Sequence, residues 1–497
     1  VASGPPGAPR PGGGGFAAPP APLGGPPRGG GAGAPHDPAR AALLAVRVLP
    51  GRVRRGLEPV EKRLAARARA TGPTAGPSAA RVPAPAGRPV RPEPGRVLHL
   101  VTNGLPFKHA GYTVRTQALA EAQRAAGLDP HVVTRIGFPV AQGVLDARPW
   151  QLVNGVPQHR LLPYGLPYGQ GAVLARNAEL AGRLVERLRP AVLHAATDHG
   201  NGRVALALRE TYRLPVVYEV RGFLEETWLT QAPGRTADDA SYRARRALET
   251  YCMRGADLVL TLGTAMKAEI VARGVPEEKV LIVPNAVDDA FLAPPPDGAE
   301  LRTRLGIAAD DYVVGTVSSL TPHEGISTLL HAGAELRRRG VPLRLLIVGD
   351  GPERGRLEAL ARRLGLGPGV ALFTGRVPHH QVRAYHAVLD VFAVPRTDER
   401  VCRLVTPLKP VEAMASGVPV AASDLTALRE LVQDEVTGRL VHPDSPQAWA
   451  EALEVLLYSR ERRHEWGASA HALVARERTW KRVAATTREA YRALGCV

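Results

Sequence analysis

From Arg96 onward the chain repeats one pattern: a short, continuously apolar run, a polar or glycine-bearing break, then a longer segment with apolar residues at helical spacing. Apolar runs without alternation suit strands buried on both faces, as in a parallel sheet covered by helices. The first series reads strand 97–103, loop 106–113 and helix 114–128, then strand 130–135. It continues with helix 179–190, strand 191–196, helix 202–214, strand 215–222, helix 241–255, strand 257–263, helix 264–274 and strand 279–288. After the proline-rich break at 294–296 a second series begins with strand 311–320 and helix 325–340. Strand 343–350, helix 353–365, strand 370–377, helix 379–389, strand 390–396 and helix 426–435 follow it. Alternation of this kind predicts two doubly wound α/β domains, over 96–292 and 293–475, with ligands at the carboxyl ends of the strands. A last helical segment, 476–497, is placed to cross back over the first domain.

Residues 1–95 differ in texture. They are rich in Pro, Gly and Ala and hold 14 Lys and Arg against 4 Asp and Glu, so +10 of the formal net charge of +17 resides there. Such sequence buries too little apolar surface to offset its chain entropy and is expected to be a disordered extension. Within it, Ala39–Ala70 is basic and helix-like; it suits either contact with an anionic membrane surface or a solvated arm, and no nucleic-acid partner is expected. No apolar run approaches the ~20 residues that span a bilayer, and no basic-then-apolar leader is visible. Cys252, Cys402 and Cys496 are too widely spaced for a disulfide framework or a zinc site. A reduced, cytoplasmic protein, peripheral to the membrane at most, is the expectation.

Several common chemistries are excluded by their motifs. Gly349-Asp-Gly-Pro-Glu-Arg-Gly355 misses the dinucleotide spacing by one residue and reads as a tight turn. No P-loop and no G-x-S-x-G motif occur, and His379, His380 and His386 lack metal-ligand spacing. The segment 406–424 is more informative. It places Lys409 and Glu412 at a helix start, followed by a small, strand-like run. Lysine supplies a positive charge for phosphate, and a carboxylate accepts hydrogen bonds from ribose hydroxyls. The same residues also suit an ordinary amphipathic helix joined to a core strand. Gly111, after the first strand, either exposes backbone N–H to a phosphate or forms a plain strand-to-helix turn. Gly315–Ser319 and Gly375–Pro378 occupy matching strand ends in the second domain.

The order of these pieces resembles the family-4 retaining glycosyltransferases of the GT-B fold, two facing Rossmann-like domains. The resemblance runs from Val97 to Leu494 and rests on Ala110-Gly111-Tyr112, ADLVLTLG, VPNAVD, GTVSSL, LLIVGDGPER, FTGRVPHHQV, DVFAVPR, VEAMASGVPVAAS and VTGRLV. The variants VTPLKPVEAMA, GYTVRT and YEVRGFLEET are similar to members of the exopolysaccharide and cell-envelope type. It implies transfer of a sugar from a nucleotide-diphospho-sugar to a glycan, lipid-linked or small-molecule hydroxyl, with retention and with no metal or other cofactor. By the same resemblance Glu412 holds the donor ribose, Lys409 neutralises the diphosphate, Arg376, Val377 and Pro378 lie against the base, and Gly111 meets the phosphates.

The chain also departs from that family. Leu404 stands where the first of two paired glutamates is common, with Arg403 beside it, and Ser319 and Glu324 replace a basic pair. Arg221 replaces a frequent histidine. Lys409 is then expected to carry more of the diphosphate charge, helped by Arg221 or Arg396. The departures keep two other readings open: a sugar-nucleotide epimerase on the same fold, and a catalytically silent binding subunit.

Overall fold

A computed structural model describes residues 80–497. The first sheet contains β1 (Arg96–Val101), β2 (Asp129–Thr134), β3 (Trp150–Val153), β4 (Val156–His159), β5 (Val192–Ala196), β6 (Val216–Val220), β7 (Leu258–Thr261) and β8 (Val280–Ile282). Its order is β3-β4-β2-β1-β5-β6-β7-β8, parallel except for β3 against β4. The apolar runs behave as their composition demands: every residue of β5 and β6 is buried. The β3–β4 hairpin is absent from the sequence expectation, although Asn154 and Gly155, both at positive φ, form its turn. An Asn-Gly pair in that conformation matches the twist of two antiparallel strands.

The second sheet contains β9 (Tyr312–Val317), β10 (Leu343–Val348), β11 (Ala371–Gly375), β12 (Val391–Val394), β13 (Val420–Ser423) and β14 (Gly438–Val441). Its order, β11-β10-β9-β12-β13-β14, is all parallel and reverses direction between β9 and β12. A crevice opens outside the strand ends at such a reversal.

The N-terminal boundary needs correction. Residues 80–95, placed in the disordered extension by composition, pack on the first domain: Val82 joins its core and Thr211 Oγ1 donates to Pro85 O at 2.7 Å. A few well-placed apolar and backbone contacts outweigh a proline-rich composition here. The remainder of the expected extension, with Ala39–Ala70, lies outside the described residues. At the other end, helix Trp480–Ala493 lies on the first domain, where Trp480, Val483 and Tyr491 pack against Leu119, Val192 and Val217. Among the described residues no helix is long and apolar enough to cross a membrane. Cys252, Cys402 and Cys496 are buried free thiols.

A buried polar network joins that last helix to the sheet. Glu219, on β6, has no exposure and meets Arg115 at 2.7 Å, while Arg221 Nε donates to it at 2.7 Å. His194 stands 3.3 Å from the same carboxylate and 2.6 Å from the Tyr491 hydroxyl. Burial alone would raise the Glu219 pKa, but Arg221 and Arg115 together hold it well below the ordinary range.

Several buried histidines are held neutral by burial, which pushes His159 and His386 down to about 4 and His99 to about 3. Unfolded, each titrates near 6.5, so between that value and the folded one the unfolded chain binds more protons and acid favours unfolding. Glu249, raised to about 8 by burial, works in the opposite sense over the same range, as do the raised carboxyls of Glu226 and Asp288, but His199, also pushed down to about 4, adds to the histidine side. Stability is therefore expected to fall as pH drops from about 6.5 towards 4.5, with each histidine adding a slope of up to about 1.4 kcal/mol per pH unit. Urea unfolding at pH 7 and pH 5 measures this; equal midpoints would contradict it, and His159→Gln should flatten the dependence.

Candidate active site at the domain interface

A cavity of about 210 Å³ opens at the reversal point of the second sheet. Its walls are Thr316–Ser319 at the end of β9, Glu324, then Phe392 and Val394 of β12 with Arg396 just beyond it, Pro407–Pro410 at the start of helix Lys409–Ala415, and Gly111 from the first domain. Two glycines hold the loops this close. A side chain on Gly349 (φ 138°) would place its Cβ 1.8 Å from Ser318 O, and one on Gly325 (φ 66°) would stand 1.7 Å from Pro395 O. The glycine-rich segment after β10 is thus a close-approach turn against the β9 loop, as its spacing indicated.

The charges at this cavity differ in availability. Arg396 Nη2 donates to Glu324 at 2.7 Å, and both side chains are largely buried. Burial would raise the Glu324 pKa, but Arg396 beside it wins and the carboxyl stays below its usual range. That cation is therefore neutralised. Lys409, half-buried at the helix start, makes no hydrogen bond or ion pair among the described residues, so it is the uncompensated cation of the lining. Glu412, three residues on and on the same helix face, is nearly buried and accepts from His379 Nε2 at 3.0 Å. The hydrogen bond to Glu412 raises the His379 pKa against the effect of burial.

Helix Gly111–Ala125 presents its N-terminus to the same cavity. No side-chain oxygen caps its first N–H groups, and Thr113 Oγ1 instead takes the Ala110 N–H at 2.9 Å. A Cβ at Gly111 would meet nothing within 4 Å, so the backbone here is open to a ligand. Unpaired N–H groups and the helix dipole together attract an anion.

The structure brings Gly111, Ser319 and Lys409 to one cavity, whereas Glu412, engaged with His379, is not among its lining residues. Arg376, Val377 and Pro378 stand on the loop after β11; Arg376 and Pro378 are exposed, Val377 packs on the core, and the adjoining His379 reaches Glu412. Arg221 is not brought into the cavity lining. Its Nη1 donates to Tyr112 O at 2.8 Å and Thr116 Oγ1 at 2.6 Å while Nε holds Glu219, so it fastens the first turn of the Gly111 helix to the sheet. Leu404 and Val405 turn away as well and pack against the first domain's core.

Residues with no role in the sequence reading stitch the domains. Asn285 Nδ2 donates to Thr406 O at 3.0 Å, and Arg400 bridges Glu226 at 3.0 Å and Glu269 at 2.6 Å. Glu430 accepts the first N–H groups of helix Thr264–Ala272, from Thr264 and Ala265, both at 2.8 Å. The VPNAVD segment carries Asn285, but nothing local marks the partners of Arg400 or Glu430.

Comparison with known proteins agrees with this geometry. Residues 110–286 match the glycosyl transferase 4-like domain and residues 297–472 match glycosyl transferases group 1. D-inositol 3-phosphate glycosyltransferase from Nocardia farcinica is 30% identical over 405 residues, spanning 76% of this chain and 86% of the relative. The GDP-mannose-dependent alpha-(1-6)-phosphatidylinositol monomannoside mannosyltransferase of Mycobacterium tuberculosis is 34% identical over 46% of this chain and 60% of its own length. Among solved structures, sucrose-phosphate synthase from Thermosynechococcus elongatus superposes with a TM-score of 0.66 at 23% identity, over 80% of this chain and 99% of that one. Anabaena HepE in complex with UDP gives 0.64 at 20% identity, over 80% and 100%. The chain belongs to the family-4 glycosyltransferases of the GT-B fold.

Proposed function

We propose that the protein transfers a sugar from a nucleotide-diphospho-sugar to a polyol or polyol-lipid hydroxyl, with retention of configuration and without a metal. The observation that carries this reading is Lys409, the cation of the cavity lining with no partner among the described residues, at the reversal point of the second sheet, facing the open N-terminus of the Gly111 helix. As the bond between the sugar and the diphosphate breaks, negative charge grows on the leaving phosphate. A fixed ammonium and fixed N–H groups favour that charge without reorganising. Glu412 takes the ribose hydroxyls, and Arg376 to Pro378 border the base. The acceptor enters from the first domain's side, and its class follows the inositol phosphate and phosphatidylinositol mannoside named for the two relatives. Arg221 acts through the Gly111 helix rather than on the sugar. A cytoplasmic site of action and a role in cell-envelope glycan assembly complete the proposal.

Thermal shift with UDP-, GDP- and dTDP-sugars tests the donor site. A ligand that binds only the folded form raises Tm by mass action, a stabilisation of about 2.7 kcal/mol at a hundredfold excess over Kd. No shift with any of the three would overturn the reading. Leu404 and the neutralised Arg396 favour one other outcome, a nucleotide-binding subunit without turnover. It would show the shift but no product with inositol phosphate or phosphatidylinositol acceptors.

A further inference from the structure

One oxygen of Glu412 is already taken. Oε1 accepts from His379 Nε2 at 3.0 Å, while Oε2 has no partner among the described residues. The two side chains differ in access: that of Glu412 is 5% exposed and that of His379 is 39% exposed. A nearly buried carboxylate is thus gripped on one side by an imidazole that solvent can reach. The short turn His379–Gln381 after β11 carries the ring across to helix Lys409–Ala415, and the Phe291 ring stands 5.5 Å from it.

Charged and titratable groups face this ring from three elements. Glu412 and Lys409 stand on helix Lys409–Ala415, Asp288 on the segment that leaves the first domain, and His386 on helix Val382–His386. His386 Nδ1 pairs with Ser416 Oγ at 3.0 Å, and burial keeps that ring neutral. Two carboxyls therefore stand against one lysine. A donor diphosphate would bring further negative charge to the same place, and a protonated His379 offsets the sum. The hydrogen bond to Glu412 raises the His379 pKa, whereas burial pushes His323 and His386 down.

We propose that His379 is a positioning residue for the donor: it holds Glu412 by one oxygen, leaves the other for the ribose hydroxyls, and gains a proton when a nucleotide-diphospho-sugar binds. This role rests on the assignment of Glu412 to the ribose. Negative charge brought by the donor favours the imidazolium, so donor affinity should fall as pH rises through the His379 pKa. The proton stays on the ring and none passes to the reacting sugar, so turnover of bound donor should change little.

Calorimetric titration of the full chain tests this, with the UDP-, GDP- or dTDP-sugar that raises Tm. A nucleotide-sugar is chosen over a free nucleoside diphosphate because it has no terminal phosphate monoester that titrates near neutrality. Runs in buffers of different ionisation enthalpy read the proton taken up. The parent should gain up to one proton, and its Kd should rise about tenfold between about pH 6.5 and 8.5. His379→Gln keeps a donor to Glu412 but does not titrate, so it should show no uptake and a Kd flat in pH. His379→Ala loses the grip as well, and should raise donor Kd and KM about tenfold near pH 7 with kcat within about threefold. His379 stands in a half-exposed turn, so both variants should keep the parent's urea midpoint. Proton uptake that persists in His379→Gln, or parent-like binding by His379→Ala, would overturn the proposal and leave the donor site standing. So would a loss confined to kcat. Parent-like binding by Glu412→Ala, or no binding by the parent, would overturn the donor assignment and this role with it.

Discussion

Replacing Lys409 by alanine is expected to lower glycosyl transfer by about ten- to over a hundredfold while the protein stays folded. A charge-assisted contact contributes about 1.5–3 kcal/mol, and each 1.36 kcal/mol is a factor of ten in rate. Arg396, the other cation of the lining, is already committed to Glu324, so no second free charge compensates. Stability should change by less than about 0.5 kcal/mol, because Lys409 makes no ion pair or hydrogen bond among the described residues. Initial rates with the donor identified by thermal shift, alongside a urea titration, separate the two effects. Lys409→Arg should recover part of the rate, since it restores charge but not the compact ammonium. Activity within about threefold of the parent for Lys409→Ala would remove Lys409 from the diphosphate site.

Glu219→Gln should have the largest effect on stability, a loss of about 3–5 kcal/mol. The substitution leaves the buried Arg115 and Arg221 side chains without their shared counter-charge, with only neutral oxygens to accept from them. The consequences extend beyond the core. Arg115 also donates to Val283 O and Pro284 O, both at 2.8 Å, just before Asn285 meets Thr406 of the second domain. Arg221 fixes the first turn of the Gly111 helix. A destabilised Glu219→Gln protein should therefore bind nucleotide more weakly as well. Equilibrium urea unfolding measures the loss, and a change under about 1 kcal/mol would mean that the network is not a buried charge hub. Should the variant fail to fold, Tyr491→Phe removes only the hydroxyl shared by His194 and Gln123 and should cost about 1–2 kcal/mol.

Much of the fold was legible because burial on both faces leaves a local mark. The runs at β1, β5, β6, β9, β10 and β12 are mostly apolar, broken by single polar residues such as His99, His194 and Glu219, and the helices between them show their own period. The hairpin at Asn154-Gly155 carried a turn signal but no clean strand alternation, since Trp150 and Leu152 face solvent. Residues 80–95 were misassigned because composition reports average burial and misses single anchors such as Val82.

The sequence by itself determined the two doubly wound α/β domains and the three-residue spacing that sets Lys409 and Glu412 on one helix face, whereas the reversal point of the second sheet emerged only from the strand order. The domains and the spacing follow from period and position along a single segment. Only the tertiary structure decided which charges remain free. Arg396 is neutralised by Glu324 from 72 residues away, Arg221 is held by Glu219, and Leu404 turns into the opposite domain's core. Charge availability depends on partners a few ångströms apart in space, and distant stretches of chain come that close only when the sheets are built.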